Sequence, residues 1–136
     1  MAFSGIVNAQ YTKLFDFTST SGSSPNGSLV SDGTYLYGMT RNDGAGGYGT
    51  VFKIKPDGTG FDTLMSFRGP NGAFPYGSLL YDGTYLLGIT GQGGANSWGT
   101  IFKIKPDGTG YTKILDFASA TTGGGWRNNY ISATKF

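Results

Sequence analysis

The feature that most constrains this chain is that it repeats itself. Residues 11–60 align without a gap on residues 61–110, and the two stretches are identical at 27 of 50 positions. A third copy begins at Tyr111 and matches residues 11–17 at five of its first seven positions. A fixed period of this length indicates a repeat protein, in which each unit buries its core only by stacking on its neighbours. The chain divides into an N-terminus (1–10), repeats (11–60, 61–110 and the partial 111–117) and a non-repeat tail (118–136).

Each repeat is predicted to form four short strands. In the first repeat they cover 28–31, 34–40, 50–55 and 61–67, and in the second 78–81, 84–90, 100–105 and 111–117. An Asp-Gly pair separates strands one and two, and Pro-Asp-Gly separates strands three and four, both of which are hairpin signals. No stretch has a sustained apolar period of 3.6 residues, so no helix is expected.

Four antiparallel strands in about 50 residues is typical of a propeller blade of kelch length. The predicted fold is all-β: two four-stranded antiparallel β-propeller blades per chain, plus one extra N-terminal strand at Tyr11–Phe17. Oligomerisation would complete the ring.

Two motifs carry a family resemblance. They are Asp-Gly-Thr-Tyr-Leu-Tyr-Gly-Met-Thr (32–40) and Gly-Thr-Val-Phe-Lys-Ile-Lys-Pro-Asp-Gly-Thr-Gly (49–60). Together they resemble the Gloeo/Verruco-type (GloVer) tandem repeat, and the resemblance covers residues 11–117. It implies a propeller-like array that is secreted or on the cell surface of a bacterium, and it implies no catalytic residue and no ligand. Two full repeats are few for such an array, and residues from Ala118 onward do not fit the pattern.

The composition argues against catalysis. The chain has no His, Cys or Glu, so the usual general base, the thiol nucleophile and the commonest zinc ligands are missing. All eight acids are Asp, and five directly precede Gly, where Asp favours turns: Asp32, Asp43, Asp57, Asp82 and Asp107. A hydrolase with paired carboxylates would have to draw on Asp16, Asp62 and Asp116. We expect no enzyme activity, no cofactor and no metal, and we interpret Asn42-Asp43-Gly44 as a turn rather than a calcium loop.

The net charge and the hydropathy of the chain limit the classes of partner that we expect. The net charge is +2, and the repeated Lys-Ile-Lys segments are typical of a solvated strand face, so no nucleic-acid partner is expected. No apolar run is long enough to span a membrane. Residues 1–10 fit either the remnant of a bacterial signal peptide or an ordinary disordered N-terminus.

The two repeats differ mainly at one end of the predicted sheets, which we call the variable rim. It consists of the loop between strands two and three and the connection to the next repeat. Loops on a rigid scaffold are a common location of binding function, and the candidate ligand-binding residues of this rim are Arg41, Asn42, Tyr48, Arg68, Asn71, Tyr76, Gln92, Asn96 and Trp98. Tyr48 and Trp98 either stack on a sugar or pack between blades.

Two stacked blades leave two outer faces open. If each exposes about 500 Å² of apolar surface, covering it is worth on the order of 10 kcal/mol, which is comparable with the 5–15 kcal/mol stability of a whole domain. We therefore expect a homo-oligomer, either a closed ring, with a trimer favoured, or a filament. Residues 11–17 would add to a neighbour's unfinished blade or pair with residues 130–136.

The sequence thus predicts a non-enzymatic, exported module that self-associates and binds a small molecule or carbohydrate on the variable rim. Two alternatives remain open. One is a structural subunit of an extracellular filament or surface assembly, and the other is an inactive fragment of a longer repeat array.

Overall fold

A computed structural model of the chain describes residues 10–118. The predictions for residues 1–9, for residues 119–136 and for pairing with 130–136 lie outside these described residues. Within residues 10–118 the chain forms eight strands and no helix. The first sheet consists of β1 (Ser23–Ser31), β2 (Leu36–Asn42), β3 (Thr50–Ile54) and β4 (Asp62–Ser66), and the second of β5 (Ala73–Tyr81), β6 (Leu86–Gln92), β7 (Thr100–Ile104) and β8 (Thr112–Asp116).

Both sheets are simple antiparallel meanders, ordered β1-β2-β3-β4 and β5-β6-β7-β8. The registers are equivalent: Leu36 pairs with Ile54 in the first sheet, as Leu86 pairs with Ile104 in the second. The all-β prediction of two four-stranded antiparallel units is confirmed.

The hairpins form where the Asp-Gly pairs predict them. Asp32 Oδ1 accepts the backbone N–H groups of Thr34 and Tyr35, at 2.8 and 2.7 Å, and Asp82 makes the same two bonds in the second sheet. Asp57 Oδ1 accepts both the N–H and the hydroxyl of Thr59, at 2.9 and 2.7 Å. The Asp carboxylates thus accept hydrogen bonds from turn N–H groups that have no partner in the strand ladder.

The core lies between the two sheets. Residues directly opposite one another in a ladder share a face, so the pairs Tyr37–Lys53 and Met39–Val51 define one face of the first sheet. We call this the downstream face, and we call the opposite one, which carries Phe52, the upstream face. The downstream face of the first sheet packs on the upstream face of the second, and the buried cluster comprises Tyr37, Met39, Val51, Phe67, Leu79, Leu86, Phe102 and Ile104.

The N-terminal part of β1 and β5 was missed by the sequence prediction. β1 begins at Ser23 rather than at residue 28, because Ser23, Pro25 and Asn26 continue the ladder with β2 beyond an irregularity between Asn26 and Val30. Gly27, with φ +82°, lies inside that irregularity. A bulge of this kind interrupts the alternation by which strands are recognised.

Residues 11–17, which we call the N-terminal segment, also differ from the prediction. They form no strand ladder within the described chain. The segment instead packs on the upstream face of the first sheet, where the Phe17 ring lies edge-on to Phe52 with centroids 5.0 Å apart. The physical reason is that a fourth strand needs a third strand to pair with, and the described chain supplies none ahead of the segment.

Candidate functional site

The variable rim is held together by backbone hydrogen bonds that recur in both repeats. The N–H of Gly44 donates to the carbonyl of Ser19 at 2.9 Å, and the N–H of Gly94 donates to that of Gly69 at 2.8 Å. Each loop between strands two and three is thereby fixed to the connection that precedes its own sheet. The rim loops differ in sequence but share one backbone framework.

One cleft opens on this rim at the junction of the two sheets. Its volume is about 590 Å³, and the residues that line it are Tyr48, Arg68, Gly69, Pro70, Gly93, Gly94, Ala95, Ser97 and Lys113. Tyr48 belongs to the loop of the first sheet, and Gly93–Ser97 belong to the loop of the second. The cleft is therefore built by both repeats.

Two cations line the cleft. Arg68 is exposed, and its backbone N–H donates to Asn71 Oδ1 at 2.7 Å. The Lys113 ammonium lies 3.0 Å from both carboxylate oxygens of Asp116. Hydrogen bonds from the Ala95 N–H and from Lys113 hold the pKa of Asp116 below its ordinary value. Asp116 thus stays ionised and positions Lys113, while the charge of Arg68 faces solvent.

Lys113 was not among the sequence-predicted candidates. It lies in β8, whereas the predicted rim consists of loops and connections. The signal was nevertheless present, because the first repeat has threonines at both cation positions: Thr18 corresponds to Arg68, and Thr63 corresponds to Lys113.

Tyr48 takes the packing role, one of the two roles that the sequence left open, and its ring stays partly exposed. Its ring lies edge-on to Phe74 of β5, with centroids 5.5 Å apart and planes at 78°, yet 41% of its surface remains exposed. The backbone N–H of Phe74 also donates to the Tyr48 carbonyl at 2.9 Å. Tyr48 therefore packs against the second sheet and still presents a face to the cleft. Trp98 is 40% exposed and does not line the cleft.

The other rim candidates lie around the cleft or inside the fold. The Arg41 guanidinium lies over the Phe74 ring, 5.9 Å from its centroid, and Asn42 Nδ2 donates to Ser24 Oγ at 3.1 Å. Gln92 ends β6, and Asn96 is exposed on the loop that follows it. None of these four residues lines the cleft.

Asn71 and Tyr76 do not line the cleft. Asn71 organises the turn between the sheets: its Oδ1 accepts from Arg68, and its carbonyl accepts the Tyr111 hydroxyl at 2.5 Å. Burial, with a smaller contribution from Asp116, raises the pKa of Tyr111 to about 12, which keeps that hydroxyl a donor. Tyr76 pairs with Ile89 in the ladder and so lies on the downstream face of the second sheet.

The carboxylates outside the turns are paired with lysines. Asp16 lies 2.8 Å from Lys13, and Asp62 lies 3.9 Å from Lys53. The Asp43 carboxylate accepts the Ser23 hydroxyl, in a turn where Asp43 has φ +60°. Within residues 10–118 no group of three or more acidic, His or Cys side chains is arranged to hold a metal ion. No helix of that part of the chain is both long and apolar enough to cross a membrane.

The downstream face of the second sheet is a second candidate surface. Its apolar residues are more exposed than their counterparts in the first sheet: Met39 is 2% exposed, whereas its counterpart Ile89 is 37% exposed. Leu80 and Leu115, on the same face, are 64% and 43% exposed. The downstream face of the first sheet is buried by its contact with the second sheet. Within the described residues no third sheet makes the same contact with the downstream face of the second.

The upstream face of the first sheet is covered only in part. The N-terminal segment buries Phe52 and Ile54 to 4% exposure. Leu29 stays half exposed, whereas its counterpart Leu79 is buried. A groove of about 400 Å³ remains between the segment and β1, and Pro25, Gly27 and Leu29 line its β1 side.

Comparison with known proteins identifies a repeat family. The model of the Gloeobacter/Verrucomicrobia repeat matches residues 4–134. No curated protein and no solved structure matches the chain.

Proposed function

The chain belongs to the Gloeobacter/Verrucomicrobia repeat family, and from that premise we propose that it is an exported, non-enzymatic β-propeller module. In this proposal its copies associate face to face, and its variable rim binds a small anionic molecule or glycan. Export is inferred from the bacterial arrays that the repeat resembles.

The observation that supports self-association is that equivalent positions in the two sheets are buried to different extents. Met39 and Ile89 lie at the same point of the same sheet, yet one is buried and the other is more than a third exposed. Apolar faces of this kind mark protein–protein contacts. The existing contact between the sheets shows what fits such a face, namely the upstream face of another repeat.

The propeller arrangement is supported by the way equivalent strands meet. The backbone N–H of Ser28 in β1 donates to Ser78 Oγ in β5 at 2.8 Å. Propeller blades repeat radially about a central axis, and such an arrangement brings the first strands of successive blades together. A ring of these sheets would bury every downstream face.

A non-enzymatic role is supported by the use of the carboxylates. Asp32, Asp57, Asp82 and Asp107 accept turn N–H groups, and hydrogen bonding to these carboxylates lowers the pKa of each. Acid–base catalysis needs a group whose pKa lies near the working pH, and these shifts run in the opposite direction.

The ligand class follows from the lining of the cleft. Arg68 offers a planar guanidinium that can bind a carboxylate through two hydrogen bonds, and Tyr48 offers an aromatic face for a sugar ring. Lys113 lies beside them, but Asp116, 3.0 Å from its ammonium, offsets its charge, so Arg68 is the cation of the cleft whose charge faces solvent. This set suits a sugar that carries a carboxylate better than a neutral one.

A glycan array tests the binding proposal. The purified full chain should retain uronic or sialic acid sugars and should lose them when Arg68→Ala is introduced. Asn96→Ala, an exposed change on the adjacent loop, serves as the control and should bind as the unchanged chain does. Absence of binding to every sugar would overturn the glycan proposal.

A structural role is the second candidate, and the heterologous nature of the contact favours it. A downstream face that binds an upstream face makes a head-to-tail contact, which closes into a ring or continues as a filament, depending on the angle. Electron microscopy separates the two: discrete rings support the binding module, and filaments or sheets support a structural subunit. A fragment without activity of its own would stay monomeric.

A further inference from the structure

The N-terminal segment is a copy of β8 rather than of β4. Residues 11–17 read Tyr-Thr-Lys-Leu-Phe-Asp-Phe, and residues 111–117 read Tyr-Thr-Lys-Ile-Leu-Asp-Phe. Both contain the same ion pair three residues apart, at 2.8 Å between Lys13 and Asp16 and at 3.0 Å between Lys113 and Asp116. At the corresponding positions β4 has Thr63 and Ser66.

The segment occupies, on the first sheet, the place that β4 occupies on the second. Phe17 lies edge-on to Phe52, with centroids 5.0 Å apart and planes at 68°, and Phe67 meets Phe102 at 5.2 Å and 70°. A methyl group placed on Gly58 would lie 2.8 Å from the Leu14 carbonyl oxygen, and one placed on Gly108 would lie 3.1 Å from that of Leu64. The two contacts are equivalent, one repeat apart.

The segment therefore lies where the outer, fourth strand of a preceding sheet would lie. The other three strands of such a sheet are not present ahead of it in the described chain. In a head-to-tail pair of copies, the sheet before the first sheet would be the second sheet of a neighbour. Its outer strand would be the neighbour's β8, which the segment resembles in sequence and replaces in position.

We propose that the N-terminal segment occupies the binding site of β8 from a second copy of this chain, so that association requires the segment to leave. This inference rests on the self-association proposed above. Two strands cannot fill one site, and the incoming β8 brings three paired strands with it. The groove beside the segment, with Pro25, Gly27 and Leu29 on one side, is where β5 and β6 of the incoming copy would lie.

The contacts that hold the segment set the cost of its release. Phe15 stacks on Phe61 with centroids 3.9 Å apart, and Phe17 contacts both Phe52 and Phe61. Tyr11, at the start of the same segment, is 89% exposed. Removing the ring contacts of Phe15 and Phe17 should therefore favour association, and changing Tyr11 should not.

The test uses the full chain with Phe15→Ser and Phe17→Ser together, and Tyr11→Ser as the matched control. Sedimentation equilibrium gives the dissociation constant of self-association for each protein. The double variant should associate at least about tenfold more tightly than the unchanged chain, because Phe15 and Phe17 are both half-buried and their packing together is worth more than the free energy of a tenfold change in affinity. The control should associate with unchanged affinity.

A labelled peptide of residues 10–18 gives an independent readout. It should bind the double variant, should be displaced by a peptide of residues 110–118, and should weaken the self-association of the double variant. Equal self-association of the double variant and the unchanged chain would overturn the exchange and leave the proposed function standing.

Failure of the double variant to bind the peptide would overturn the inference whether or not copies associate. Peptide binding without self-association of any protein would instead contradict the proposed function. If circular dichroism shows that the double variant is unfolded, Phe15→Ser alone replaces it, with the same outcomes and a smaller expected change.

Discussion

Ser28 donates its backbone N–H to the Oγ of Ser78 at 2.8 Å, and these serines occupy the same position in successive repeats. Next to them, Gly27 packs so closely on Gly77 that a methyl group on Gly27 would overlap the Gly77 carbonyl. Because the contact joins equivalent positions of successive repeats, any further repeat that has the same face can form it again. Around Gly77, in contrast, a methyl group would meet no atom within 4 Å.

This asymmetry predicts different effects for the same substitution at the two glycines. Gly77→Ala should cost about 1 kcal/mol of unfolding free energy, because both glycines have positive φ. Gly27→Ala should cost about 2–4 kcal/mol, because it adds steric overlap to the same backbone strain. Urea denaturation of both variants measures the difference, and equal costs would show that β1 and β5 are not in close contact.

Met39 and Ile89 give a second matched pair, on the downstream faces. Met39→Lys should destabilise the chain by at least about 3 kcal/mol, because it places a charge in the core between the sheets. Ile89→Lys should change stability by less than about 1 kcal/mol, because a partly exposed lysine can reach water. It should nevertheless abolish self-association, measured by light scattering. Unchanged association of Ile89→Lys would place the interface elsewhere.

The repeat and its turns made the fold readable from sequence. Asp32 and Asp82, each followed by Gly, predicted hairpins that the structure confirms, and the period predicted two equal sheets. The N-terminal part of β1 was not predictable from alternation because Gly27 lies at an irregularity in the ladder. The fate of residues 11–17 was also hidden, since a strand sequence forms a ladder only where a partner strand exists.

The candidate site was predictable only in outline. The comparison of loops identified the rim, and Tyr48 and Arg68 do line its cleft. Lys113 was missed because its contribution depends on how β8 lies beside the loop of β6 and β7. Tyr76 was assigned to the rim because it lies in the variable connection between the two repeats, but its pairing with Ile89 places it on the downstream face.

The turn carboxylates predict how stability depends on pH. Backbone N–H groups of Tyr35 and Tyr85 are the largest cause of the lowered pKa of Asp32 and Asp82. A carboxyl group whose pKa is lower in the folded state than in the unfolded state stabilises the fold at pH values above its unfolded-state pKa, which is about 3.9. That stabilisation is lost as the pH falls through the folded value. The free energy of unfolding should therefore decrease below about pH 4.

Asparagine at both positions tests this assignment, because its Oδ1 still accepts the turn N–H groups but does not titrate. Urea denaturation between neutral and acidic pH should show a smaller loss of stability for Asp32→Asn with Asp82→Asn than for the unchanged chain. An identical pH dependence would mean that other groups control it.

The cleft predicts charge-dependent ligand binding. Lys113→Thr, which introduces the residue found at the matching position 63 of the first repeat, should weaken binding of a carboxylate-bearing sugar by at least about tenfold, because the loss of one charged hydrogen bond costs about 1.5–3 kcal/mol. Isothermal titration calorimetry at low and high salt measures both the loss and its screening. Binding that is unaffected by Lys113→Thr and by salt would exclude an electrostatic role for the cleft.

The mass of the particle in solution tests the central claim, that the two open faces bind each other between copies. Sedimentation velocity of the unchanged chain over a range of concentrations should show particles that are multiples of the 14.3 kDa chain and that grow as concentration rises. Gly77→Ala, which places a methyl group where a neighbour's Gly27 would pack, should remain at the mass of one chain. A single-chain mass for the unchanged protein at every concentration would contradict the account.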